Sequence, residues 1–402
     1  MILTTTHDFL LKFEIDNVRI LQGMGYTVHY AANLNEPCYL SDERIFERIG
    51  VYAHHIEIAR SPFLWKDNRK ALRQVLWLIE KYRICFLHCH TPVGGLLGRL
   101  AGKYSRSELF VVYTAHGFHF YRGAPFLNQT VYYQVEKQMA RLTDVLITVN
   151  AEDYSSALRF RLKKDGCVYW IPGVGFDPQK FRPLSPEEKA RRRKQLEIGK
   201  QVFFLVSVGE LNKNKNQRVV LEALSRMKQR NGGRLSVLYG ICGDGYYRER
   251  VEKWIQELCL TDEVCLFGYC RNVPEILGCA DAAVFPSKRE GLGMAGIEAL
   301  AMGIPVIASD NRGTREYMQQ GENGFVFQSG NIEELMRSII AVREQSVSER
   351  AAMSARCIRS AEPFKKEKAN VKMQQIYEYA AQIINTQREE KPYDNKRRYG
   401  CL

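Results

Sequence analysis

"AAVFPSKREGLGMAGIEALAMGIPVIASD", residues 282–310, decides the fold. It opens on "AAVFPS", a short apolar run of the kind that a buried strand shows. "KREGLG" then reads as a loop, and "MAGIEALAMG" as a helix that Gly303 can end, with Pro305 opening a second buried run. Strand, loop, helix and strand follow one another without a spare residue. Two strands joined through a helix lie parallel in one sheet, with the helix on its face.

The same alternation extends in both directions. Towards the N-terminus, strands are expected at 27–32, 54–58, 84–90, 110–116, 144–149 and 168–173. In the second half they are expected at 203–209, 235–243, 264–269, 282–287, 305–310 and 324–327, with helical segments such as 216–230 and 247–260 between them. The fold class is therefore α/β, with two doubly wound domains of parallel strands covered by helices on both faces. The first domain is expected over 1–182 and the second over 183–365, joined through the Pro- and Gly-bearing stretch "GVGFDPQKFRPLSPEEKARRRKQ". An amphipathic helix over 366–386 is expected to pack back on the first domain, and the basic tail 387–402 to be frayed. "MILTTTHDF" is short for an opening strand: either the strand is stunted, or residues that belong before it are missing from this sequence.

Composition narrows the function classes. The 402 residues are 45% hydrophobic and 26% charged, a globular balance too long for one ordinary core. No run reaches the roughly 18 uninterrupted apolar residues of a membrane span, and the N-terminus lacks a signal-peptide pattern, so a cytosolic chain is expected. The eleven cysteines are scattered, without a C-x-x-C pair. Cys85, Cys242 and Cys265 read as small buried hydrophobes. In "HCH" at 88–90 only His88 and His90 share a sheet face, and two ligands without a third make no metal site, so no metal is expected. The net charge is +13, with basic clusters at 159–164, 191–194 and 395–398. These read as solvated helix faces or as a surface for an anionic membrane or substrate; no nucleic-acid-binding module is recognisable.

The chemistry gathers where strands end. In open α/β sheets ligands sit outside the carboxyl ends of the strands, which places the expected site in the cleft between the domains. Glu290 lies in the loop after "AAVFPS", and Glu298 about two turns later on the helix, near the same face. Gly291 and Gly293 let the backbone pass close to a ligand, and the helix start offers N–H groups and a positive dipole end to phosphate. A diphosphate between two polyhydroxylated rings would satisfy the whole element, with Glu290 accepting hydroxyls of a sugar and Glu298 those of a ribose. "SVGELNKNKNQ" (207–217) places Lys213 and Lys215 before a helix, where either can neutralise a diphosphate. Main-chain groups of Tyr269 to Asn272, Arg271 included, could hold a base. In "YTAHGFHFYRGAP" (113–125), His116 ends a strand and can meet a sugar or a leaving group. Each also has a structural reading: a capping acid, an exposed lysine loop, a satisfied histidine.

Taken in order, "YTAHGFHFYRGAP", "PGVGFDPQKF", "GELNKNKN", "PSKREGLG" and the pair Glu290 and Glu298 in "EGLGMAGIE" resemble family 4 retaining glycosyltransferases over nearly the whole chain. "HTPVGGLLGRL" is most similar to bacterial enzymes of capsular or exopolysaccharide assembly. The resemblance implies the GT-B fold and transfer of a hexose, with retention, from a nucleotide-diphosphate sugar, UDP the expected carrier. It implies no metal or other cofactor. The acceptor it implies is a growing glycan on a polyprenyl diphosphate at the inner face of an anionic membrane. By the same resemblance His116 contacts the donor sugar, Lys215 the diphosphate, Glu290 the hexose and Glu298 the ribose, while the main chain of Gly291, Leu292, Gly293 and Met294 covers sugar and phosphate. Two departures stand out. Glu210 follows Gly209 where many relatives carry arginine, and the glycine loop after the first strand is not recognisable in "TTTHDFLLKFE".

Other classes fit parts of this pattern. A sugar-nucleotide epimerase or hydrolase of similar fold would consume its substrate without an acceptor, and a non-catalytic nucleotide- or glycan-binding protein would bind without turnover. A dehydrogenase is disfavoured because no G-x-G-x-x-G opens the first βαβ unit.

Overall fold

A computed structural model describes residues 1–35 and 44–390. The chain divides into two compact units, Met1–Val174 together with the chain from Glu367 onward, and Gly175–Lys366. The first division falls earlier than the 182 expected from composition. Phe176 already bridges to Lys365, and Lys366 holds Asp177 at 2.7 Å, so the start of the proline-bearing stretch is stitched into the second unit.

The first unit carries β1 (Ile2–Thr6), β2 (Val28–Asn33), β3 (Val51–His55), β4 (Phe86–His90), β5 (Phe110–Ala115), β6 (Val145–Thr148) and β7 (Cys167–Trp170). They form one sheet in the order β3-β2-β1-β4-β5-β6-β7, and every pair is parallel. Short as it is, β1 lies inside the sheet, paired with β2 on one side and β4 on the other. β3 starts three residues before the expected 54–58. Ile56 and Ile58 are wholly buried, which gives the strand signal, but they lie past the last ladder pair, Ala32 with His55. The core beneath joins Leu3, Leu87, Val111 and Leu146 with the helix Trp65–Tyr82.

Helix Lys366–Glu390 belongs to this unit and buries Ile376, Tyr377, Ala380 and Ile384. Tyr377 Oη meets His88 Nδ1 at 2.9 Å, and Tyr379 donates to the carbonyl of Asp165 at 2.6 Å. The helix runs past the expected 386 to Glu390; the rest of the expected tail, with its basic cluster at 395–398, lies outside the described residues.

The second unit carries β8 (Phe203–Val208), β9 (Val237–Cys242), β10 (Val264–Gly268), β11 (Ala282–Phe285), β12 (Val306–Ser309) and β13 (Gly324–Phe327), ordered β10-β9-β8-β11-β12-β13 and parallel throughout. Its core packs Leu205, Tyr239, Val284 and Ile307 against helix Arg218–Arg230. The helix Pro186–Gln195, opened by a Ser185–Glu188 capping box, docks through Asp281. Lys189 and Arg193 reach that carboxylate at 3.1 and 2.9 Å, so one arginine of the 191–194 cluster is a structural partner and not free surface charge. Lys163 in the 159–164 cluster is likewise held by Asp144 at 2.6 Å. Cys242 is buried as expected, whereas Cys85 and Cys265 are only half-buried.

In each sheet the winding reverses once, between β1 and β4 and between β8 and β11. At such a reversal the flanking loops splay apart and open a crevice at the carboxyl ends of the strands. Sequence order thereby fixes where a ligand can sit.

Candidate active site

At the β8/β11 reversal the two flanking loops are sewn together. Asn212 Oδ1 accepts from the amides of Asn214 and Lys215, both at 2.9 Å, closing a tight turn. Lys288 donates its amide to Asn214 O at 2.8 Å, and Asn214 Nδ2 donates to Arg289 O at 2.9 Å. These bonds aim Lys215 at the opposite loop, where its Nζ reaches Glu290 Oε1 at 2.6 Å. Both side chains keep partial solvent access, 26% for Lys215 and 17% for Glu290. Gly209 lies beside the lysine stem, and a side chain at Gly243 would strike the carbonyl of Gly209. That contact packs the ends of β8 and β9 backbone to backbone and leaves the crevice floor bare.

Beyond Glu290 the chain turns through Gly291 and Leu292 into helix Met294–Ala301. Its N-cap, Gly293, has φ +84°, a left-handed conformation that a side chain resists, and no side chain caps the helix start. The Gly296 amide bonds Gly293 O at 2.9 Å, which leaves the N–H groups of Met294 and Ala295 to a ligand, with the positive end of the dipole behind them. The far end closes through Gly303, whose amide bonds Leu300 O at 2.9 Å. Glu298 is half-buried on this helix, and its carboxyl makes no hydrogen bond or ion pair within the described residues. Desolvation raises its carboxyl to about 7, with Lys180 pulling weakly the other way.

Other sequence candidates stand apart. Lys213 is exposed and, with Tyr247, Arg250, Trp254 and Lys288, lines a separate cavity, so the two lysines of the loop have different surroundings. Glu210, in the place of the usual arginine, is exposed and bonded by Asn212 Nδ2 at 3.0 Å. Tyr269, Arg271 and Asn272 are exposed beyond the end of β10, the edge strand of the sheet. One group was not singled out in the sequence: Arg312 is buried, and its Nε donates to Glu290 O at 3.4 Å. It follows β12 as Glu290 follows β11, and that position in "SDNRG" is the signal that could have found it.

In the first unit His116 stands where β5 ends, with part of its ring open to solvent. Protein crowding nevertheless draws its pKa down to about 4, so the ring is neutral at pH 7. Its Nε2 meets His90 Nδ1 at 3.1 Å, and Phe9 packs against both rings at 5.3 and 5.4 Å between centroids. His90 is buried, and its Nε2 has no hydrogen-bond partner; Glu14 Oε2 stands 3.4 Å away. Glu14 ends a π-helical turn, Leu10–Glu14, and is itself buried, with Asn17 Nδ2 donating to Oε2 at 2.7 Å. Burial lifts its carboxyl to about 8, against the pull of Asn17.

The structure therefore brings a third donor to the two histidines, one that the sequence did not reveal. Ligand atoms of Glu14, His88 and His90 lie within 4.8 Å of one another. Both nitrogens of His88 are engaged, by Tyr377 at 2.9 Å and Thr114 at 2.8 Å, and His90 Nδ1 bonds His116, so of the nitrogens of these two histidines only His90 Nε2 has no hydrogen-bond partner. After β1, His7 stacks on Phe46 and Asp8 pairs with Lys12.

Comparison with known proteins identifies the family and the fold. A family model described as glycosyl transferases group 1 matches residues 188–361, and a glycosyl transferase 4-like model matches residues 2–150. The putative glycosyltransferase EpsD of Bacillus subtilis is 38% identical over 83% of this chain and 84% of its own length. An Escherichia coli protein named UDP-Gal:α-D-GlcNAc-diphosphoundecaprenol α-1,3-galactosyltransferase is 28% identical over 72% of this chain and 74% of its own. Among solved structures, HepE from Anabaena, crystallised with UDP and glucose, superposes with a TM-score of 0.73 at 18% identity, covering 95% of this chain and 98% of that one.

Proposed function

This chain belongs to the group 1 glycosyl transferases and has the GT-B fold, and from that premise we propose that it transfers a hexose from a UDP-sugar, with retention, to a glycan carried on a polyprenyl diphosphate. The observation that carries the reading is the Lys215–Glu290 pair beside an uncapped helix start, at the reversal of the second sheet. A cation and free N–H groups suit a diphosphate, and the neighbouring carboxylates suit sugar hydroxyls. The name of the Escherichia coli relative supports both the UDP carrier and the lipid diphosphate.

In the proposed reaction the bond from C1 of the sugar to the diphosphate breaks, and the acceptor hydroxyl oxygen bonds to C1 on the same face. The hydroxyl proton passes to the departing phosphate oxygen, so no enzyme carboxylate becomes a nucleophile. Lys215 and the N–H groups at Met294 take the charge that grows on the leaving group. Glu290 and His116 orient the sugar, Glu298 accepts the ribose hydroxyls, and the main chain of Gly291–Met294 covers the phosphates. The base would rest on main-chain groups of Tyr269–Asn272. No metal or cofactor is assigned a step.

No described helix is long and apolar enough to cross a membrane, so the lipid-linked acceptor would be met at a surface. The first unit exposes Phe63, Trp65 and Phe126, together with Arg159, Arg161 and Lys164, groups suited to an anionic lipid face.

The test incubates the chain with UDP-sugars and a polyprenyl-diphosphate glycan, with and without anionic vesicles, and reads the product by NMR. An α-linked product from an α-UDP-sugar is expected, and an inverted anomer would end the retaining assignment. Glu298 adds a pH signature. A carboxylate accepts both ribose hydroxyls better than a carboxyl does, and the free group is raised to about 7, so protons compete with UDP. UDP affinity should therefore fall more steeply as pH drops from 8 to 6 in the wild type than in Glu298→Gln, where of these two groups only the terminal phosphate of UDP still titrates. Calorimetry showing the same slope in both would remove Glu298 from the ribose site.

A further inference from the structure

We propose that Glu14 and His90 are positioning residues for His116, holding its proton on Nε2 so that its open Nδ1 accepts a hydrogen bond from a donor-sugar hydroxyl. The inference deepens the proposed function and rests on it only for the identity of the ligand.

The direction of the chain follows from the anchored end. Asn17 Nδ2 donates to Glu14 Oε2 at 2.7 Å, and in a protonated carboxyl such a donor favours the carbonyl oxygen, so the acid proton falls on Oε1 and Oε2 stays an acceptor. His90 Nε2 lies 3.4 Å from the same oxygen without forming a hydrogen bond to it, and is buried with no hydrogen-bond partner. A neutral imidazole has one N–H and one lone pair. A lone pair at Nε2 would be repelled by the lone pairs of Oε2, whereas an N–H there is attracted to them even short of a hydrogen bond, so the proton belongs on Nε2. His90 Nδ1 is then a lone pair, and His116 Nε2, 3.1 Å away, must be the donor. His116 in turn has its remaining lone pair on Nδ1, which has no hydrogen bond within the described residues.

The surroundings keep the rings in place. Phe9 lies against His90 and His116, and His88, bonded at both nitrogens, lies 4.1 Å from His90 between centroids. Burial and crowding hold all three histidines well below their ordinary pKa, so one N–H per ring is the state at pH 7. Glu14 enters from the loop after β1 and His90 ends β4, the two strands that flank the reversal of the first sheet. An acceptor at Nδ1 selects a hydroxyl and disfavours a phosphate oxygen; the opposite tautomer would do the reverse.

The test uses the full chain labelled with ¹⁵N-histidine, with His116 assigned by the signals lost in His116→Asn. Long-range ¹H–¹⁵N spectra of the wild type should show His116 as the Nε2–H tautomer; an Nδ1–H tautomer or a protonated ring overturns the proposal. Glu14→Leu removes the acceptor and should mix the tautomers and lower kcat about three- to tenfold. Glu14→Gln, whose amide oxygen can take the same N–H, should restore both. Unchanged His116 signals in Glu14→Leu would also overturn it. Should Glu14→Leu fail to fold, the wild-type and Glu14→Gln spectra decide by the same criterion. The spectra need no donor: the expected tautomer without turnover of any nucleotide sugar would sink the proposed function and leave the positioning chain standing, and transfer with an Nδ1–H ring would do the opposite.

Discussion

Lys215→Met is expected to lower kcat about a hundredfold to a thousandfold, the loss that follows removal of one preorganised group facing developing charge. Methionine retains the apolar stem beside Gly209, so the packing at the end of β8 should survive. What disappears is the ammonium that in the resting protein lies 2.6 Å from Glu290. The ion pair itself is not the source of the effect, because a partly exposed pair contributes little to stability. The effect comes from the moment the diphosphate departs, when the ammonium exchanges one carboxylate for a leaving group that gains charge. Single-turnover rates at saturating donor isolate that step. A variant within threefold of the wild type would show that the helix start alone carries the leaving group.

Glu290→Ala comes second, with an expected loss of roughly tenfold to over a hundredfold in kcat. The magnitude follows from hydrogen bonds to a charged acceptor worth about 1.5–3 kcal/mol each, converted at about 1.4 kcal/mol per decade. Glu290→Gln separates two causes. The amide keeps the shape and one acceptor but cannot pair with Lys215, so a smaller loss than in the alanine variant assigns the remainder to sugar contacts. Steady-state rates for both variants, with circular dichroism to confirm the fold, provide the check. Near-wild-type transfer by Glu290→Ala would take this acid out of the mechanism.

The α/β alternation was readable because parallel strands buried on both faces are continuous apolar runs, as in "AAVFPS" and "FFLVSVG", and the intervening helices carry their own stops. Reading failed where burial and pairing part company. Ile56 and Ile58 are core residues outside the ladder, so the pattern around them displaced β3. The Lys215–Glu290 meeting was legible in outline, since both follow strands at carboxyl ends. The different surroundings of Lys213 and Lys215 were not, because the Asn212 turn that aims them is a matter of side-chain hydrogen bonds. Glu14 was invisible for another reason. An acid between apolar residues in "LLKFEID" looks like a surface helix position, and only the return of β4 alongside β1 buries it beside His90.

The first unit is discontinuous along the chain, and that has a consequence for its biosynthesis. His88 is bonded to Tyr377, 289 residues downstream. At the roughly 5–20 residues per second of translation, the ribosome delivers that partner about 15–60 s after the histidine. In the interval the underside of a nascent seven-stranded sheet has no Ile376, Tyr377 or Ala380 to cover it, while the whole of the second unit is added to the chain before they are. Maturation therefore runs out of sequence order: the later half can settle first, and the earlier half closes last, when the terminal helix clears the exit tunnel.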